Sequence, residues 1–336
     1  MRRVKIAQIG TGHAHAWVTA SSIARLSEQY EIIGLAEPTE KYRVNLEKEP
    51  YRSMPLRTVE DLLADDELEA VAIETEEESS TYYALLFAKR GVAVHLDKPG
   101  SQDIEAFHKL VDILRGKNLP FHLGYMYRYN PMIERTIEMV KNGDLGKVYA
   151  VEAHMSVHHP AEEREKLSIF KGGMTYFLGC HLVDLMLQIM GKPDEIIPLN
   201  SSIGDEGVTA EDYGFVVFKY NGNVSFIKAC SDEYNGFHRR QLVVCGTKGT
   251  VVLQPIEMYV EGGNMTTLAE MTYNKQNENP WMDTAEHLRA EPYNRYDKMM
   301  TTFAEQVRGE AENPYTYDYE LEVFDTLMKC CDYKEN

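Results

Sequence analysis

Short apolar runs alternate with helical periodicity along the first third of the chain. Val4, Ile6, Ala7 and Ile9 form a run with the β-branched bias and brevity of a buried strand, closed by Gly10-Thr11-Gly12. Glu31 to Ala36, Ala70 to Ile73 and Val92 to Leu96 repeat that pattern. Between them lie a polar helical segment from Thr39 to Glu49, a short helix opened by Thr58 as N-cap with Asp61 at the capping-box position, and a helix from Ser79 to Arg90 closed by Gly91. Ile104 to Arg115, Phe121 to Leu123 and Pro131 to Val140 continue the series. Strands separated by helices imply right-handed crossovers and a doubly wound parallel sheet.

The pattern then changes character. Leu178, Leu182, Val183, Leu185, Met186, Leu187, Ile189 and Met190 make one helix apolar nearly all round, which predicts burial. Beyond Gly191, strand-like runs follow at Glu195 to Asn200, Tyr213 to Tyr220, Asn223 to Cys230, Arg239 to Cys245 and Gly249 to Leu253, with Asn221-Gly222 as a hairpin signal. Consecutive hairpins predict an antiparallel sheet with one face on the buried helix and the other open to solvent or a second subunit. Thr266 to Pro292 is polar and unperiodic and reads as a long loop; a helix over Asp297 to Arg308 and the segment Tyr319 to Tyr333 end the chain. The fold class is therefore α/β, with a Rossmann-type doubly wound domain over residues 1–125. An α+β domain over 126–336 carries a large, mostly antiparallel open sheet, and a C-terminal helix packs back on the first domain.

At 336 residues the chain suits two domains, and 43% hydrophobic with 26% charged residues is ordinary for a globular protein. The net charge of −18 argues against nucleic acid or an anionic membrane as partner, because phosphates would be repelled. No apolar run approaches the ~20 residues of a membrane helix, and the opening Met1 to Gly10 has too short an apolar run for a secretory signal. Five cysteines without a CxxC pattern read as reduced thiols of a cytoplasmic protein. His158-His159 matches no standard ligand spacing, so no metal is expected.

Candidate chemistry starts at Gly10, Thr11, Gly12 and His13. A turn of this kind lets backbone N–H groups meet a pyrophosphate at a helix N-terminus, although an ordinary strand-to-helix turn has the same local pattern and His15 stands where a third small residue is usual. Glu37 ends the second run where a carboxylate accepts from ribose hydroxyls and repels a 2′-phosphate, which predicts NAD over NADP. Lys98 leaves the fourth run at the edge where ligands of open parallel sheets bind, and there a lysine can steady an alkoxide; a solvated surface lysine is the alternative. His181 and Asp184 interrupt the apolar helix three residues apart, and an imidazole there suits proton abstraction from a hydroxyl. Tyr125, Tyr127 and Tyr129 alternate beside the expected cleft, where aromatic faces with hydroxyl handles suit a sugar ring.

The GxG turn, the acid ending the second strand and Asp97-Lys98-Pro99 resemble the Gfo/Idh/MocA family of glucose-fructose oxidoreductases and inositol dehydrogenases. Gly124 to Pro131 is similar to its G-x-x-x-R-[FY]-N-P segment, Gly143 to Val148 to its G-x-[IL]-G turn, and Gly172-Gly173 with Gly179 to Asp184 to its GG…G-x-H-x-x-D helix. The resemblance implies an NAD-dependent oxidoreductase acting on a secondary hydroxyl of a sugar, polyol or glycoside. It implies Lys98 and His181 as catalytic, Thr75 among the cofactor contacts, Tyr125, Arg128 and Asp184 beside Lys98 and His181 as substrate contacts, and a homodimer or homotetramer formed through the open sheet. Two departures stand out. Phe177 occupies the place of a catalytic aspartate one turn before the histidine, with Tyr176 beside it as a candidate third proton carrier. Thr75-Glu76-Glu77-Glu78-Ser79-Ser80 replaces T-P-N-x-x-H, without its proline and histidine. Redox-neutral, NAD-dependent glycoside cleavage through a transient keto-sugar, or a sugar or nucleotide sensor without chemistry, are the alternative readings.

Overall fold

The computed structural model describes residues 2–273, 281 and 284–332. It consists of two compact units, Met1–Met126 with Tyr296–Phe324, and Tyr127–Arg295 with Asp325–Asn336.

The first unit is built on a parallel sheet of five strands, β1 (Val4–Ile9), β2 (Tyr30–Ala36), β3 (Ala70–Ile73), β4 (Ala93–Leu96) and β5 (Phe121–Leu123), in the order β2-β1-β3-β4-β5. Every residue of β3 and β4 is buried, as expected of strands covered on both faces, and this is why they read as continuous apolar runs. The helices α1 (Ala16–Arg25), α2 (Val59–Leu63), α3 (Glu77–Arg90) and α4 (Ile104–Gly116) connect them. Thr58 and Asp61 form the expected capping box, and Gly91 closes α3 in the left-handed conformation. The polar segment after β2 is a 3-10 helix, Glu40–Glu47, with no buried residue: lacking an apolar stripe, it has no core contact to favour an α-helix. Two later helices, α8 (Asp297–Arg308) and the first part of α9 (Tyr317–Cys330), also belong to this unit; α8 packs on α1 and β1, and Phe324 of α9 stacks on Phe107 of α4 at 4.0 Å between ring centroids. Because β2 and β3 flank β1, chain direction across the sheet reverses at the carboxyl ends of β1 and β3, the crevice where open α/β sheets bind ligands.

The second unit carries α5 (Pro131–Asn142), β6 (Val148–Ser156), α6 (Ala161–Glu165) and α7 (Cys180–Met190), followed by β7 (Glu195–Pro198), β8 (Tyr213–Tyr220), β9 (Asn223–Cys230), β10 (Gln241–Gly246) and β11 (Gly249–Leu253). Then come β12 (Met258–Tyr259), β13 (Met265–Thr266), β14 (Leu268–Tyr273) and β15 (Glu286–Arg289). Eight strands form one sheet in the order β15-β14-β11-β10-β6-β9-β8-β7, antiparallel except for the β6–β9 pair. β8 alternates half-buried and buried residues along its whole length, and α7 packs against β6. The stretch Thr266 to Pro292, expected to be a loop, is corrected in its described part: β14 pairs with β11 and β15 with β14. β15 is the edge strand and β14 lies next to it, and their half-exposed polar side chains weaken the apolar alternation that identifies a strand; residues 274–280 and 282–283 of the stretch lie outside the described residues. Among the described residues, no helix is long and apolar enough to cross a membrane.

Candidate functional site in two halves

In the first unit the glycine turn is held close to its neighbours. Gly10 has φ +89, and a Cβ there would lie 2.5 Å from the Thr75 side chain; one on Gly12 would lie 2.5 Å from the Tyr42 ring. At Gly10, with its positive φ and the Thr75 backbone alongside, only glycine fits. Thr11 N–H and its hydroxyl both donate to Glu37 Oε2 at 2.6 Å, and Thr39 N–H donates to Oε1 at 2.8 Å. Glu37 thus already accepts three hydrogen bonds of the roughly four a carboxylate can take. Beside it opens a cavity of about 510 Å³ lined by Glu37, Pro38, Arg43, Thr58, Tyr82 and Tyr83 among others, within the size range of small-ligand pockets. The tight turn and this cavity at the end of β2 fit a dinucleotide: backbone for the pyrophosphate, cavity for the adenosine. Arg43 was not among the sequence candidates, and it brings a cation to the same cavity as Glu37.

Lys98 follows β4 and is 1% exposed, so it is no solvated surface charge. Its backbone N–H donates to Asp97 Oδ1 at 2.7 Å. Asp97 also lies 3.2 Å from His13 Nδ1, so one carboxylate ties the glycine turn to the residue before Lys98. Around it stand further titratable groups that sequence reasoning did not assemble. His15 Nδ1 is 3.2 Å from both Asp97 oxygens, Glu74 is 3.6 Å from His13 Nδ1, and Glu77 is 3.4 Å from His13 Nε2. Burial works against a charge on His13, yet the Asp97 carboxylate overrides it and raises the imidazole well above its ordinary value. Burial alone would push Asp97 up, and His13 and His15 pull it well below the carboxylate range. Burial, then Asp97, raises Glu74 to about 7; burial lowers His15 to about 4 against the pull of Asp97. Burial would raise Glu77, but its bond to His13 and the charges of His13 and Lys98 together bring it to about 2. Tyr125, just past β5, is fully buried.

In the second unit His181 is fully buried on α7, its ring 5.5 Å from that of Tyr127. Tyr127 Oη donates to Glu257 Oε2 at 3.1 Å, and Glu257 accepts from Arg240 at 3.1 Å and from Arg295 at 2.6 Å through each of its oxygens. Burial would raise the Glu257 carboxyl, but the two arginines hold it below its ordinary value. Arg128 donates to Asp184 at 2.8 Å and 3.1 Å with both side chains at most 1% exposed, and Gln188 Nε2 donates to Asp184 at 2.9 Å. Arg128 and Asp184 are therefore brought together. Residues Thr175–Gly179 form a π-turn ahead of α7. With i→i+5 bonding, that turn holds one residue more than an α-turn would, just ahead of His181. Tyr176 is fully buried, its ring 5.1 Å from Phe170. Glu257, Arg240 and Arg295 lie in segments whose partners are distant in sequence, and no local pattern marks them.

Residues 4–125 match the family model described as an oxidoreductase family with an NAD-binding Rossmann fold, and residues 133–252 match the GFO/IDH/MocA C-terminal domain. D-xylose 1-dehydrogenase (NADP(+)) 2 of Haloferax volcanii is 27% identical over 216 residues, 64% of this chain and 64% of that protein. The rhizopine catabolism protein MocA of Rhizobium meliloti is 23% identical over 193 residues, 57% of this chain and 59% of that protein, so the chain spans less than two thirds of the length of these curated relatives. Among solved structures, KijD10, a 3-ketoreductase from Actinomadura kijaniata in complex with TDP-benzene and NADP, shares the fold with a TM-score of 0.76 at 14% identity, over 98% of this chain and 96% of that one.

Proposed function

The chain belongs to the Gfo/Idh/MocA oxidoreductase family, and from that premise we propose that it oxidises a secondary hydroxyl of a sugar, polyol or glycoside, with NAD(H) as its dinucleotide. The observation that carries this reading is Asp97: it binds His13 of the glycine turn and the backbone N–H of Lys98, which supports a lysine held at the dinucleotide edge for chemistry. The nicotinamide, when bound, supplies the hydride acceptor. Lys98 donates to the substrate oxygen and steadies the charge that develops on it. His181 takes the hydroxyl proton, in a site kept dry by its full burial. Arg128 and Asp184 engage each other, so we assign them to fixing α7 and the orientation of His181 before any substrate contact. Tyr127 is a further aromatic candidate for the sugar face, since its ring lies by His181.

Glu37 supports NAD, because a 2′-phosphate would meet its charge; Arg43 in the same cavity supports the NADP that some relatives carry in their names. The half-buried apolar residues Val217, Phe226, Val243 and Val252, in one row with Glu152 on the sheet face away from the core, support a homodimer or homotetramer. The test is absorbance of the reduced-nicotinamide band on purified protein with NAD or NADP and a panel of sugars, polyols and glycosides. Reduction of NAD by one substrate class is the expected result. A bound dinucleotide that no member of the panel reduces would favour the sensor reading.

A further inference from the structure

The histidine and carboxylate cluster under the glycine turn crowds three groups, the His15 N–H, Asp97 and Glu74, onto one imidazole nitrogen. His15 N–H donates to His13 Nδ1 at 3.2 Å, which requires a lone pair on that nitrogen. The same Nδ1 faces the carboxylates of Asp97 at 3.2 Å and Glu74 at 3.6 Å, which requires a donor or a cation there. Glu74 sharpens the conflict: it is 0% exposed, and neither of its oxygens has a hydrogen-bond partner. A buried carboxylate whose nearest cationic group stands 3.6 Å away is costly, and a metal ion relieves the cost.

We propose that His13, His15 and Asp97 bind one divalent transition metal of the zinc class, with the Glu74 carboxylate, 3.6 Å from His13 Nδ1, turning in as fourth ligand. The ligand atoms of His13, His15 and Asp97 lie within 4.8 Å of one another. The spacing between Asp97 and each Nδ1 is 3.2 Å, long for a charge-assisted hydrogen bond and close to the ~3.3 Å edge of a tetrahedron with metal bonds of about 2.0 Å. Two imidazoles and two carboxylates suit zinc better than magnesium or calcium, which favour all-oxygen sites. The surroundings are those of a ligand set. His13 Nε2 lies 3.4 Å from Glu77, a carboxylate to which a metal-bound imidazole can donate its other N–H, and Asp97 accepts the Lys98 backbone N–H at 2.7 Å. The four residues come from the glycine turn and from the ends of β3 and β4, so the ion would lock the turn to the sheet edge. This inference does not rest on the proposed oxidation; it concerns the first unit alone.

The experiment is elemental analysis and calorimetry on the full chain, stripped with chelator and titrated separately with zinc, cobalt and magnesium, with melting temperature as a second readout. Expected are one zinc per chain retained through dialysis, a rise in melting temperature, visible d–d absorption with cobalt, and no binding of magnesium. His15→Ala should lose the site, and Glu77→Gln, which keeps all four ligands, should weaken zinc by about 10–100-fold. No stoichiometric zinc, or zinc binding unchanged in His15→Ala and Asp97→Asn, overturns the proposal. Dinucleotide binding followed by fluorescence in the same preparations keeps the outcomes apart: normal binding without zinc removes the metal and leaves the oxidoreductase reading standing.

Discussion

The two units bury charge in opposite ways. In the second, two buried carboxylates meet arginines: Asp184 meets Arg128, and Glu257 meets Arg240 and Arg295. Guanidinium cannot release its proton in a protein, so these charges are permanent and the arrangement is fixed. In the first unit, Asp97, Glu74 and Glu77 face the imidazoles His13 and His15, groups that, unlike guanidinium, can gain or lose a proton. One region is scaffold around a fixed geometry; the other can exchange a proton or accept a cation beside Lys98.

Four substitutions test that contrast. The largest effect is expected for His181→Asn, a loss of turnover of about 10²–10⁴ with a melting temperature close to the parent's; an active His181→Asn beside a dead Tyr176→Phe would move the base to Tyr176. Asp184→Asn should do the reverse, leaving an unpaired buried guanidinium and costing about 3–5 kcal/mol of stability in urea titration. Unchanged stability would show that the Arg128–Asp184 pair is no scaffold. Lys98→Ala should cut turnover by about 10²–10³ while the dinucleotide still binds, as judged by calorimetry. Smallest is Glu37→Ala, which should narrow the preference for NAD over NADP by about tenfold, the scale of one charge-assisted hydrogen bond. NADP binding at least as well as NAD in the parent would reverse the cofactor assignment.

The scaffold also has a pH signature. Because the arginines hold folded Glu257 below its ordinary value, its contribution to stability is complete above the unfolded carboxyl value of about 4.3 and is lost as pH falls through the lower folded value. Melting temperature measured from pH 6 downward should therefore drop more steeply in the parent than in Glu257→Gln, and equal slopes would remove Glu257 from the account.

Local chemistry made much of the first unit legible. The capping box at Thr58 and Asp61, the Gly91 stop and the buried runs of β3 and β4 each need only neighbours in sequence. β6 was harder: its partners β9 and β10 lie some seventy or more residues away, at Glu152↔Phe226 and Val243↔Glu152, and no short turn announces them. The same holds in the site. Lys98 follows from the rule that ligands sit at strand carboxyl ends, but the meeting of His13, Glu74 and Asp97 needs the strand order that sets β1, β3 and β4 side by side. Glu76, Glu77 and Glu78 read equally as acids near a cofactor, and only Glu77 approaches a histidine.

The π-turn at Thr175–Gly179 changes how this chain should be aligned with others. It holds one residue more than an α-turn would, so matching the chain to an uninterrupted helix position by position pairs Phe177 with a residue that faces elsewhere. Removing a single residue there would restore regular winding and rotate everything upstream by about 100° against α7. An insertion or deletion of one residue there, silent to a composition comparison, would change which upstream side chain shares a helix face with His181.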